Sequence, residues 1–288
     1  MRRNRPRRKL RVGIDACNGA ASRAATKLVQ ELGSHAFEIF CSPQEGGRFP
    51  RQPEPTADHL SALSELVRRR KLDLGAAFDP DGDRFSCVDE RGNPLGEEAS
   101  VMLATEFVLM QSPGPVVVNL STTQAIDEIA ARHGAPVFRT RVGEAAVVAR
   151  MKELGAVVGG EGNGGVIIPA INAGRDGLVA LATVVQAVSD AGKPLSAIAQ
   201  GLPRYAMVKD KVRAFPKAGN ATRKRLQREF AGAEFDSTDG LKILGQHWWL
   251  HVRPSNTEPI IRLIAEAGSE SQARRLIKRA KKTLSELV

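Results

Sequence analysis

Apolar residues recur along this chain with two alternating periods. Lys9 to Asp15 (KLRVGID) reads as a buried strand. Gly19 leads into a helical stretch, Ala20 to Leu32, and Ala36 to Cys41 reads as a second strand. Gly, Pro and charge dominate residues 42–55, which predicts a loop. Thr56 to Lys71 carries Leu60, Leu63, Leu66 and Val67 on one stripe, an amphipathic helix with Thr56 as candidate N-cap. Leu72 to Phe78 is a third strand. The same style then repeats: helix Glu97–Gln111, strand Val116–Leu120, helix Thr122–His133, strand Pro136–Thr140, helix Gly143–Leu154, strand Ala156–Gly160. Arg175 to Ala191 and Leu195 to Gly201 are helical. Strands and helices alternating at these lengths predict parallel α/β winding.

The texture changes near Arg204. Arg204–Arg213 reads as a strand and Thr222–Phe230 as a helix. Short strands follow at Leu241–Leu244, His247–Val252 and Ile260–Glu266, then a basic helix. The expected fold is therefore α/β: two related three-layer α/β domains followed by a small α+β C-terminal domain. The expected boundaries are 1–95 (with 1–9 a basic arm), 96–202 and 203–288.

Length agrees, since 288 residues accommodate two or three domains. A hydrophobic share of 42% is too high for a disordered chain. No window approaches the roughly 18 consecutive apolar residues of a membrane span, and MRRNRPRRKL has no apolar signal core. Three cysteines, Cys17, Cys41 and Cys87, form no CxxC pair, which fits a reducing, cytoplasmic compartment. The net charge is +10, but seven cations fall within the first eleven residues, and without them it drops to +3. Arg274, Arg275, Lys278, Arg279, Lys281 and Lys282 flank Leu276, Ile277, Leu284 and Leu287, the pattern of a solvated helix face. Aromatics are 5%, thin for base stacking, and no zinc-finger, helix-turn-helix or RNP pattern occurs, so nucleic acid is disfavoured as a partner.

Three segments carry chemistry. In Asp79-Pro80-Asp81-Gly82-Asp83-Arg84, three carboxylates alternate at a strand end, so their oxygens can converge on one hard cation. An EF-hand loop would put Glu90 at position twelve but needs Gly at position six, where Arg84 stands, and both flanks read as strands. An acidic turn without an ion is the other alternative; Arg84 favours a metal–phosphate site. Gly159–Gly165 (GGEGNGG) contains a formal GxGxxG. Val166-Ile167-Ile168-Pro169 follows instead of the helix a dinucleotide site needs. Glu161 and Asn163 on bare glycines suit sugar hydroxyls; a flexible turn is the alternative. Arg253-Pro254-Ser255-Asn256-Thr257-Glu258-Pro259, with Arg262 beyond, gathers hydroxyl, amide and guanidinium donors into a phosphate cradle, or else a proline-bounded turn. No Walker A sequence and no GxSxG elbow occur, and the five histidines show no metal spacing.

In order, these segments resemble the loops of the α-D-phosphohexomutase superfamily, which includes phosphoglucomutase, phosphomannomutase and phosphoglucosamine mutase. DPDGDR resembles its magnesium loop, GEGNGG (160–165) its sugar-recognition loop and RPSNTEP its phosphate loop. Val12-Gly13-Ile14-Asp15 with Asn18-Gly19-Ala20 resembles the opening strand of its second domain, and Arg175-Asp176-Gly177-Leu178 the start of the helix after the sugar loop. Many members have Ser-Gly-His where this chain has Asn163-Gly164-Gly165.

The resemblance implies exchange of hexose 1-phosphate and 6-phosphate through a phosphoserine and Mg²⁺. It implies that Asp79, Asp81 and Asp83 hold the metal and that Arg84 lies by the transferring phosphate. Glu161, Gly162 and Asn163 would contact the sugar; Arg253, Ser255, Asn256, Thr257 and Arg262 would hold the distal phosphate. The family's first domain carries the serine in a Thr-Ala-Ser-His-Asn-Pro type loop. Here the only Ser-His pair, Ser34-His35, precedes Ala36 and reads as structural. The chain alone is therefore expected to be inactive, with a separate N-terminal catalytic domain as partner if the gene is split. A phosphosugar-binding pseudo-enzyme and a basic nucleic-acid-associated protein are the alternatives.

Overall fold

The computed structural model describes residues 8–43, 48–213, 220–255 and 258–285. They form two compact units: residues 1–139 with 143–203, and residues 140–142 with 204–288.

The first unit opens with β1 (Arg11–Asp15), α1 (Ala21–Glu31), β2 (His35–Ile39), α2 (Ser61–Arg70), β3 (Leu74–Phe78) and β4 (Phe85–Val88). The sheet order is β2-β1-β3-β4, with β1 parallel to both neighbours and β4 antiparallel to β3. Because β1 lies between β2 and β3, two right-handed crossovers put α1 and α2 on opposite faces. The expected leucine stripe is the reason α2 docks: Leu60, Leu63, Leu66 and Val67 pack with Leu72, Ala77 and Val88.

A second set follows: α3 (Glu98–Gln111), β5 (Val116–Asn119), α4 (Ala125–Arg132), β6 (Val137–Thr140), α5 (Glu144–Leu154), β7 (Val158–Glu161), β8 (Gly165–Ile167), α6 (Gly177–Ala191) and α7 (Leu195–Gln200). Its sheet order, β6-β5-β7-β8, reproduces the first, again with an antiparallel fourth strand. In α3, ten of fourteen residues are buried, from Ala99 to Leu109, so it is apolar nearly all round. It packs on α4, α6 and both β7 and β8, which explains why it shows no single stripe.

The second unit contains β9 (Ala206–Arg213), α8 (Asn220–Glu229), β10 (Glu234–Asp236), β11 (Leu241–Gly245), β12 (Trp248–Pro254), β13 (Ile260–Ala267) and α9 (Glu270–Ser285). Its sheet, β10-β11-β12-β13-β9, is antiparallel throughout. Leu241, Ile243, Leu250, Val252 and Leu263 face Leu226, Phe230, Leu276, Ile277 and Leu284 across one core. The α/β class followed by an α+β unit is as the patterning predicts.

Two helices start three or more residues later than expected. Thr56 does not cap α2: a 3-10 turn, Ala57–His59, intervenes, and the Thr56 hydroxyl bonds the His59 ring at 3.0 Å. The chain bends at Leu60, so the helix begins at Ser61. Likewise α4 begins at Ala125, not Thr122, because Thr122 and Thr123 spend their hydroxyls on Asn119 Oδ1 and the Ala125 N–H. Among the described residues no helix is long and apolar enough to cross a membrane.

Candidate active site

The first two chemical segments occupy equivalent places. DPDGDR joins β3 to β4, and Gly162–Gly164 joins β7 to β8. Each is a hairpin turn at the carboxyl end of its sheet's third strand, where α/β sheets present loops to ligands. The two turns meet: Arg84 bridges Gly165, and the Phe85 N–H donates to Gly164 O at 3.0 Å.

Helix starts hold the acidic turn. The Ala20 N–H, just before α1, donates to Pro80 O at 2.8 Å, and the Gly177 N–H of α6 donates to Gly82 O at 3.0 Å. Asp176 caps α6, its Oδ1 accepting from the N–H groups of Leu178 and Val179 at 2.8 and 3.0 Å. Gly177 must be glycine for room: a Cβ there would lie 2.6 Å from Gly82 O and 2.9 Å from the Phe78 ring.

Asp79, Asp81 and Asp83 converge as the alternation predicts, each offering an oxygen within 4.8 Å of the others. Asp79 is buried; its Oδ1 accepts from the Arg84 N–H at 3.0 Å, and its Oδ2 lies 3.5 Å from Arg84 Nε. Burial pushes the Asp79 carboxyl up to about 7; the Arg84 hydrogen bond opposes this, while the charges of Asp83 and Asp81 add to it. Asp83 Oδ1 is buried without a hydrogen-bond donor, and Arg84 Nε lies 4.0 Å from it. Three crowded carboxylates and an undonated buried oxygen fit a small hard divalent cation, whose ligands are oxygens.

Around the second turn, the expected sugar-contacting residues also bond within the protein. Glu161 is 3% exposed. Its Oε1 accepts from Asn119 Nδ2 at 2.7 Å and the Gly143 N–H at 2.9 Å, and its Oε2 from Arg175 Nη1 at 3.0 Å. It fastens the turn, and with three donors on about four lone-pair sites it keeps room for one further hydrogen bond. The Gly162 N–H likewise points inward, donating to the Thr122 hydroxyl at 3.1 Å. Asn163 is half-buried, its Oδ1 accepting from the Gly165 N–H at 3.2 Å.

Arg175, which the sequence pattern places only at the start of a helix, lies between the two turns. Its guanidinium pairs with Asp83 Oδ2 and Glu161 Oε2, and its Nε lies 3.6 Å from Glu144 Oε2. Its side chain lies across Gly165, where a Cβ would sit 2.3 Å from Arg175 Cδ. Burial opposes the guanidinium's charge, but Asp83, Glu161 and Glu144 outweigh it and hold the proton more firmly than usual. The signals in the sequence were a cation immediately before a helix-capping Asp and the resemblance of Arg175-Asp176-Gly177-Leu178 to a family helix start.

In the second unit, Arg253 is the penultimate residue of β12 and is buried, with Nε 3.4 Å from Asp239 Oδ2. Register places Arg253 opposite Arg262, and Arg262 opposite Lys211, so three cations lie in a row across three strands. Arg262 Nη2 also donates to Glu258 Oε2 at 2.7 Å. The Ser255 N–H donates to Ile260 O at 2.9 Å, closing the turn. Asn256 and Thr257 lie outside the described residues.

Repeated α/β sheets with paired hairpin turns, followed by an antiparallel unit with a cationic strand end, define a class of modular α/β protein. Residues 1–92 match "Phosphoglucomutase/phosphomannomutase, alpha/beta/alpha domain II", residues 96–205 match domain III, and residues 205–282 match the C-terminal domain. The chain belongs to the phosphoglucomutase/phosphomannomutase family. It is 38% identical over 279 residues to a "Phosphoglucomutase/phosphomannomutase" of Thermococcus kodakarensis, covering 96% of this chain and 60% of that protein. It is 35% identical over 282 residues to a "Probable phosphoglucosamine mutase" of Thermococcus gammatolerans, covering 96% and 62%. A crystal structure of a family protein from Burkholderia thailandensis superposes with a TM-score of 0.85 at 28% identity, covering 97% of this chain and 61% of that one. The chain thus spans about 60% of the length of the curated relatives it matches.

Proposed function

We propose that these 288 residues supply the metal-, sugar- and distal-phosphate-binding parts of a phosphohexomutase that exchanges hexose 1-phosphate and 6-phosphate. The single observation that carries this reading is the Asp79–Asp81–Asp83 cluster, with its undonated Asp83 oxygen, tied through Arg175 to the Glu161 turn. On this reading residues 1–95 and 96–202 each fold around one four-stranded sheet, and 203–288 form the phosphate-binding domain.

Asp79, Asp81 and Asp83 would hold Mg²⁺, which when bound supplies positive charge against the transferring phosphoryl oxygens. Arg84, beside Asp79, would add fixed donors to the same group. Asn163 would meet sugar hydroxyls, with Glu161 first holding the turn in shape. Arg253, Ser255 and Arg262, with Asn256 and Thr257 by resemblance, would hold the non-reacting phosphate and orient the sugar. The Arg253–Arg262–Lys211 row supports this by gathering positive charge across three strands, although Asp239 and Glu258 already pair with Arg253 and Arg262. The 288 residues contain no Ser-His-Asn-Pro loop. The phosphoryl-donating serine would therefore come from further sequence of the same protein or from a separate chain.

Calorimetric titration of glucosamine 6-phosphate, mannose 6-phosphate and glucose 6-phosphate, with Mg²⁺ present, tests the cradle. Saturable binding to the wild type, weakened at least tenfold in Arg253→Ala, is expected from loss of a charge-assisted contact of roughly 1.5–3 kcal/mol. Equal affinities would remove Arg253 from the site.

A further inference from the structure

Four carboxylates, Asp79, Asp83, Glu144 and Glu161, face two guanidiniums, Arg84 and Arg175, and Asp81 lies beside Asp79 and Asp83. Arg84 hydrogen-bonds none of them through its buried Nε. Arg175 alone spans both hairpin turns, with Asp83 on one side and Glu161 on the other. Its bond to Asp83 uses Oδ2, while Oδ1 of the same carboxylate lacks a donor. Its own Nε–H is buried without an acceptor, 3.6 Å from Glu144 Oε2. Asp83 therefore has a vacant oxygen, and Arg175 a vacant donor aimed at a second carboxylate.

We propose that Arg175 is a positioning residue that acts as a displaceable counter-ion: it neutralises Asp83 in the metal-free chain, and a divalent cation at the triad releases it towards Glu144 and Glu161. The proposal rests on the triad being a cation site. It follows from competition for one carboxylate. A cation bound by Asp83 shares that charge with Arg175 and repels the guanidinium, while Glu144 offers the Nε–H the bond it lacks. Gly165 leaves the path open, since any side chain there would meet Arg175 Cδ. Metal occupancy would thereby tighten the Glu161 turn, linking cation binding to the shape of the sugar-facing hairpin.

Two effects of Arg175→Met should run in opposite directions. Removing the guanidinium leaves Asp83 and Glu161 short of a partner, so the metal-free protein should unfold at lower temperature. Removing a competing positive charge should tighten divalent-cation binding roughly tenfold. Mn²⁺ titrations followed by electron paramagnetic resonance, on wild type and Arg175→Met, read the second effect. Thermal unfolding in chelator reads the first. A purely structural Arg175 would lower stability and weaken or leave unchanged Mn²⁺ affinity, and either result overturns the proposal. No Mn²⁺ binding by the wild type overturns both this proposal and the cation reading beneath it. Should Arg175→Met fail to fold, the wild type decides. Its Arg175 Nε–Hε resonance, assigned by its loss in Arg175→Lys, should move on Mg²⁺ titration and saturate with metal binding. A resonance unmoved at saturating Mg²⁺ overturns the proposal.

Discussion

Gly177→Ala sets two effects of known sign against each other. Position 177 is the first residue of α6, and helix propensity alone favours Ala over Gly by up to about 1 kcal/mol. The added Cβ would stand 2.6 Å from Gly82 O and 2.9 Å from Phe78 Cδ1, both closer than a methyl group tolerates. Neither neighbour is the free end of a flexible chain: one is backbone, the other a ring with no solvent exposure. Relieving the clash moves α6 off the acidic turn and breaks the 3.0 Å bond from the Gly177 N–H to Gly82 O. Overpacking costs about 1–3 kcal/mol and the lost hydrogen bond about 1 kcal/mol. Sterics therefore exceed propensity, and the net loss should be about 1–3 kcal/mol. Gly82 separates Asp81 from Asp83, so the same shift should weaken Mg²⁺ binding about tenfold or more. Urea unfolding and Mg²⁺ calorimetry measure both, with Gly268→Ala as control, because its Cβ would meet only Gln272 Oε1 at 3.5 Å. A Gly177→Ala protein as stable as wild type, with unchanged Mg²⁺ affinity, would refute the claim that α6 braces the turn.

Asp176→Ala removes the two hydrogen bonds to Leu178 and Val179 and should cost roughly 0.5–2 kcal/mol in denaturant unfolding, whereas Asp176→Asn should recover most of it. Fully buried His251 has its pKa lowered by burial, with Lys242 adding to this and the 2.6 Å contact to Asp239 O opposing it. The unfolded chain therefore takes up that proton first as pH falls below 6.5, and stability drops through that window. In His251→Gln the stability–pH curve should be flatter below 6.5; an unchanged slope would show that His251 does not titrate on unfolding. The Glu90 carboxyl is raised by burial but lowered more by hydrogen bonds from the Ser196 hydroxyl and N–H, for a net depression. Its contribution is thus complete above its unfolded pKa and fades on acidification, so Glu90→Gln should destabilise at pH 7 and lose that difference in acid.

Much of this was legible because it is local. The Leu60–Leu63–Leu66–Val67 stripe positions α2, and alternation alone brings Asp79, Asp81 and Asp83 together. Other features were hidden because they depend on distant partners. Nothing near Arg175 in the chain announces a bond to Asp83, 92 residues away, or a path over Gly165. Glu161 reads as a free acceptor until Asn119, 42 residues earlier, is seen to bind it. Short β8 (Gly165–Ile167) is a strand only because β7 pairs with it, and no three-residue pattern carries that information.

The central claim is most directly tested by phosphorus nuclear magnetic resonance of α-glucosamine 1-phosphate and α-mannose 1-phosphate mixed with the 288-residue chain and Mg²⁺. One spectrum reads binding and conversion together. The account predicts a broadened or shifted 1-phosphate resonance, restored by Arg253→Ala, with no 6-phosphate signal growing in. Unperturbed resonances for both sugars, or conversion to 6-phosphate by this chain alone, would contradict it.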